Sequence, residues 1–119
     1  MDKSKTKLLE QRLIAFGVQI MKLCDLLPDS KAGKHIEGQI IRSGTAPALV
    51  YAEAQSAESK ADFVHKMKLG LKEMRETFVS LQMITLMGWV EESIVAPLRS
   101  ENDELISIFV ASVRTALGK

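Results

Sequence analysis

The side chains that could do chemistry are few: two histidines, one cysteine and carboxylates scattered along 119 residues. A helical bundle can hold two metals when Glu-x-x-His pairs project from facing helices. Asp62-x-x-His65 is the only near match here, and the other histidine, His35, has Ala32 three residues before it. One carboxylate and one histidine make no di-metal site, so neither metal nor cofactor is expected. Nucleophilic catalysis would need Cys24 or a serine beside a base. Cys24 adjoins an apolar seam, where a buried, inert thiol is the simpler role. Gly33 and Gly38 fit no phosphate-loop spacing, and Glu91-Glu92 reads as a solvated pair. The sequence therefore points to no catalytic residue and to a protein that is not an enzyme.

The remaining charges suggest contact rather than catalysis. Arg42 and Glu53 lie about three helical turns apart on nearly one side of an alanine-rich segment. They read either as a buried polar pair, matched across a helix or subunit boundary, or as two separate exposed charges. Lys66, Lys68, Lys72 and Arg75, with Lys60 nearby, form a basic group that could meet a nucleic acid. Glu73 and Glu76 dilute that group, and no aromatic residues are interleaved for base stacking, so a solvated helix face is the default.

Helices must position these groups. Leu9, Leu13, Phe16, Ile20, Leu23 and Leu27 alternate four and three apart, which predicts a first helix from a cap at Ser4 or Thr6 to about Leu26. Pro28-Asp29-Ser30 ends it, and Lys31 to Gly33 continue the turn. A second helix is expected over about Lys34 to Ala57, with Ile36, Ile40, Ser43, Val50, Tyr51 and Ala54 on one face. Pro47 predicts a kink near Ser43 to Pro47. Ala46, Ala48, Ala52 and Ala54 leave room for a close neighbour.

Ala61 to Val90, inside the longest stretch without proline, is roughly 40 Å long as a helix. It begins near Ser59, and Gly88 closes it as a left-handed cap residue. Phe63, Val64, Met67, Leu71, Met74, Phe78 and Leu81 make its inner face. Glu91 to Ala96 predicts a short helical turn before Pro97. Ser100 then caps a last helix whose inner face is Leu105, Ile106, Phe109, Val110, Val113, Ala116 and Leu117. Short connections between long helices imply antiparallel neighbours. The fold class is thus all-α: an up-down-up-down four-helix bundle in one domain over residues 1–119.

More apolar side chains are present than one such core can bury. Ile14, Val18 and Met21 form a line away from the first helix's seam. Val79, Met83, Leu86 and Val90 appear on the back of the third helix. Exposed apolar lines of this length mark protein contacts, and most oligomers of soluble proteins are homomeric, so these seven residues are the expected oligomer interface.

Composition agrees. The chain is 46% hydrophobic and 26% charged, which is globular. A net charge of +1, from 16 basic and 15 acidic residues, disfavours a purely electrostatic grip on nucleic acid. No run of about 18 apolar residues is present, so no membrane partner is expected. A lone cysteine and a polar start lacking a signal core predict a cytoplasmic protein.

The ordered series Leu27-Pro28, Gln39-Ile40-Ile41-Arg42-Ser43, Ala52-Glu53, Ser59-Lys60-Ala61-Asp62-Phe63-Val64-His65, Glu76 and Leu86-Met87-Gly88-Trp89-Val90 resembles the family of four-helix bundle proteins encoded in 23S ribosomal RNA intervening sequences. The likeness runs from about Leu8 to Leu117. It implies a small bacterial bundle without established enzymatic activity that assembles with itself as a homopentamer. A related branch, the accessory proteins of diversity-generating retroelements, forms basic pentameric barrels that bind nucleic acid and a reverse transcriptase. That relation implies an alternative role on RNA or DNA. Those relatives are strongly basic, whereas this chain is nearly neutral.

Overall fold

The computed structural model describes residues 3–119; Met1 and Asp2 lie outside the description. Its elements are α1 (Lys3–Cys24), α2 (Lys31–Gln55), α3 (Lys60–Met87) and α4 (Glu92–Ala116), with no strand among the described residues. Local chemistry sets several of the boundaries. The Ser30 hydroxyl accepts from the Gly33 amide at 3.0 Å and caps α2. Ser59 does the same for α3 through Asp62 N. Each satisfies one of the orphan amides that every helix start exposes. Gly88 ends α3 at φ 69°, a left-handed conformation that any side chain would strain.

The helices pack α1 on α2, α2 on α3, α3 on α4 and α4 back on α1, with α1 and α4 touching least. No close backbone approach joins the diagonals, so the cross-section is four-cornered. Contact order shows that neighbours run antiparallel. Glu53 meets Lys66 while Arg42 meets Glu73 and Glu76, so α2 descends as α3 rises. Thr85 meets Arg99 while Asn102 meets Met74. The bundle measures 45 × 23 × 22 Å. One end, the loop end, holds the α1–α2 and α3–α4 connections. The other, the terminal end, brings Lys5 and Thr6 beside Gln55, Phe63 and Ser112.

The α1 seam is buried as its spacing requires, from Leu13 through Phe16 and Ile20 to Leu23. It meets Ile40 and Tyr51 of α2, Met67, Met74 and Leu81 of α3, and Leu105 and Phe109 of α4 in one core. Two glycines set the closest approaches. A methyl group on Gly44 would lie 2.7 Å from Ile20 Cγ2, and one on Gly70 2.6 Å from the Phe109 ring. Glycine is what lets α1 meet α2, and α4 meet α3, at these points.

Several boundaries differ from the sequence-based expectation. Ser4 and Thr6 lie inside α1 (Lys3–Cys24), which ends at Cys24. Lys31 to Gly33 are the first turn of α2, because the Ser30 cap outweighs the turn signal of the preceding residues. The largest departure is α4, one helix through both Pro97 and Ser100. Its buried residues Val95, Leu98, Asn102, Leu105, Phe109 and Val113 keep helical spacing across the proline. The proline removes one ladder bond early in the helix. Arg99 spans it with a two-pronged bond to Glu92, at 3.0 and 2.7 Å. Leu117 falls at the C-cap and is exposed rather than part of the inner face. Along α2 the helix is continuous through Pro47, with Thr45 Oγ1 bonded to the Ile41 carbonyl at 2.7 Å just before it.

Candidate self-association surface

The apolar residues named for an interface sit mostly outside. Ile14, Val18 and Met21 remain on the surface of α1, and Val79, Met83 and Leu86 on the surface of α3. Leu86 is the extreme case at 88% exposed. Val90 is different: it is half-buried and packs against the chain's own core beside Trp89. Ile41, with Met87, Leu26 and Ile94, is also exposed. Most of these lie in the half of the molecule nearest the loop end.

They gather into distinct surfaces. Gly17 faces the Thr45 methyl, since a methyl group there would sit 3.6 Å away. Ile14 and Met21 lie about one turn to either side of Gly17, and Ile41 one turn before Thr45. These side chains therefore form one continuous face across α1 and α2. Between the first half of α2 and the second half of α3 runs a groove of about 640 Å³. Ile36, Val79 and Met83 supply its apolar wall, with His35, Lys72 and Arg75 around it. A further groove of about 520 Å³ follows the looser α1–α4 seam, where Phe16, Leu26, Ile94 and Pro97 come together.

Arg42 and Glu53 are brought neither together nor into the interior. Both are more than half exposed, at 52% and 57% of their side chains, so they form no buried pair within the chain. Each instead bonds across to α3. Arg42 holds Glu76 and Glu73, both at 2.7 Å, and its guanidinium is stabilised first by the bond to Glu76 and then by the charge of Glu73. Glu53 holds Lys66 at 2.7 Å, which raises the lysine's pKa. Exposed pairs of this kind add little stability but favour one register. A second clamp joins Arg12 to Glu101 and Glu104 across α1 and α4. Between the clamps lies a buried polar layer: Thr77 donates to Ser43 at 2.9 Å, and Asn102 reaches the Met74 carbonyl. Sequence spacing places Ser43 inside but gives no signal for its partner.

The basic group is divided. Lys66 is committed to Glu53, and Lys72 lies 4.0 Å from Glu76, whereas Lys68 and Arg75 are exposed without an ion pair among the described residues. Among the described residues no cluster of three or more His, Cys, Asp or Glu could hold a metal. His35 and His65 are both exposed. Cys24 is buried, and burial pushes its thiol pKa up, with the charges of Glu37 and Asp25 adding to the effect. No helix is long and apolar enough to cross a membrane among the described residues.

These features define a small all-α protein with a four-cornered bundle fold and apolar surface to spare. The chain belongs to the 23S rRNA-intervening sequence protein family, whose sequence profile matches residues 8–111. Among solved structures it is similar to a protein of unknown function from the S23 ribosomal protein family of Bacteroides thetaiotaomicron. The TM-score is 0.85 at 24% identity, over 92% of this chain and 98% of the other. That likeness carries the fold. No curated protein matches the chain.

Proposed function

We propose that this protein is a non-enzymatic helical scaffold that works by assembling with copies of itself into a ring. The observation that supports this reading is the pair of apolar lines, Ile14–Val18–Met21 and Val79–Met83–Leu86, left outside the buried core. Uncovered apolar surface of this extent is unfavourable in water, and a second copy is the commonest cover. The family resemblance sets the expected number at five. Light scattering coupled to size exclusion at micromolar concentration tests this. A mass several times the 13.2 kDa chain is expected, and a single-chain mass overturns the reading.

A second reading, as an accessory protein on structured RNA or on an RNA/DNA duplex alongside a reverse-transcriptase-like partner, has one observation in its favour. Lys5 and Lys7 of α1 lie at the same end of the bundle as Lys60 and Lys68 of α3. Together they concentrate positive charge that the near-neutral total conceals. Binding to structured RNA that weakens steeply with added salt is its expected signature. No binding even at low salt removes it.

A further inference from the structure

The two apolar surfaces differ in kind, and the difference says how copies meet. The first, across α1 and α2, carries Met21, Val18 and Ile41 and is bordered by acids, with Lys34 beside them on α2 held by Asp29 at 3.1 Å. Asp25 and Glu37 stand at its loop end, both close enough to act on Cys24. Glu10 stands toward its terminal end, near Tyr51. None of these three carboxylates has an ion pair among the described residues.

The second surface is the α2–α3 groove with Ile36, Val79 and Met83. It is bordered by bases at corresponding heights. His35 lies at its loop end, with Lys31 one helical turn before it on the same face of α2, and neither has an ion pair among the described residues. Lys72 and Arg75 lie toward its other end. Arg75 is unpaired among the described residues, and Lys72 has only a 4.0 Å contact with Glu76, which Arg42 already holds at 2.7 Å. Acid, apolar, acid on one face thus matches base, apolar, base on the other, with the bundles side by side and pointing the same way.

We propose that the α1–α2 face of one copy docks into the α2–α3 groove of the next. Met21, Val18 and Ile41 lie against Val79, Met83 and Ile36, and the acids of one face meet the bases of the other. This rests on the self-association reading and goes beyond it by naming the two halves of the contact. Such a contact is heterologous, so each copy gives one face to each neighbour and the series closes when the rotation allows. The two faces adjoin at α2 in a four-cornered section, about a right angle apart. Closure needs about 90° between faces for four copies and about 108° for five, so the geometry leads to a small ring rather than a filament. In that ring α2 lines the inside and α4 the outside. Either face paired with itself would set like charges together and leave the other surface bare.

Two singly blocked variants test the pairing. Met21→Lys disables one face and Met83→Lys the other, and both positions are exposed, so helix content should stay at the wild-type level by circular dichroism. Each variant alone should run as a single chain. Mixed, they should form a one-to-one dimer and nothing larger, because only one intact contact remains. If either variant alone still self-associates as the wild type does, or if the mixture stays monomeric while wild type assembles, the pairing is overturned and self-association stands. A monomeric wild type would instead remove the self-association reading. Charge reversal gives an independent readout. Glu10→Lys and Lys72→Glu should each weaken assembly about tenfold, and the two changes in one chain should restore it. Additive losses without restoration count against the pairing.

Discussion

Asn102 of α4 donates from Nδ2 to the main-chain oxygen of Met74 on α3, 3.0 Å away, while its own Oδ1 has no partner among the described residues. The side chain is fully buried at the middle of the bundle. One bond made and one acceptor left over is a poor exchange for an amide taken out of water. Its value lies in fixing which turn of α4 faces which turn of α3.

Replacing Asn102 with leucine removes the orphan acceptor and keeps most of the volume. Stability by urea denaturation should hold or rise by about 1 kcal/mol. Asn102→Asp should lose roughly 3 kcal/mol at pH 7, because a buried carboxylate beside a carbonyl oxygen has no counter-charge. Burial raises that carboxyl's pKa, so the lost stability should return as pH falls toward about 4 and the group protonates.

The glycines of α2 should respond in opposite directions. Gly38 has open space around it, and Gly38→Ala should add about 0.5–1 kcal/mol by stiffening the unfolded chain and favouring helix. Gly44→Ala drives a methyl group into Ile20 and should lose about 1–3 kcal/mol despite the same helix preference. Thermal melts of the two variants should shift to opposite sides of wild type.

The bond from Arg99 holds the Glu92 carboxyl below its ordinary value of 4.5. A depressed folded-state pKa stabilises the protein above the ordinary value, and the benefit disappears as pH falls through the folded value. In a carboxyl NMR titration Glu92 should titrate below 4.5, and Arg99→Met should bring it back to about 4.5. The same variant should loosen the first turns of α4 in hydrogen exchange, since the bond spans Pro97.

Cys24 should be slow to alkylate. Burial raises its pKa above 9.0, and nearby Glu37 and Asp25 add to the effect. A raised pKa for an acid means stability is intact below the unfolded value and falls as pH climbs through the folded one. At pH 8 the native thiol should react at least about ten times more slowly than in urea, with a modest gain in Glu37→Gln.

Spacing made the core of α1 legible, because Leu9 to Leu23 report one face with little ambiguity. Ser59 and Gly88 were equally readable, since each performs a local task that its side chain, or lack of one, determines. Pro97 signals a break that α4 does not have. Proline reports a local preference, whereas burial of Val95 and Leu98 together with the Glu92–Arg99 bond is settled by the whole bundle. Arg42 shows the same limit. The sequence marks it as a charge seeking a partner, but Glu73 and Glu76, more than 30 residues away, are chosen by how α2 and α3 align. Val90 lies in an outward series by period yet turns inward, because the left-handed Gly88 redirects the chain after α3.

An even number of alternating helices brings the chain back to the side it set out from. Lys3 and Lys119 both emerge among the lysines, tens of ångströms from Leu26, Met83 and Leu86. A fluorescent reporter attached to the side chain at position 5 or 119 would therefore project away from the greasy half, leaving it clear to meet whatever covers it.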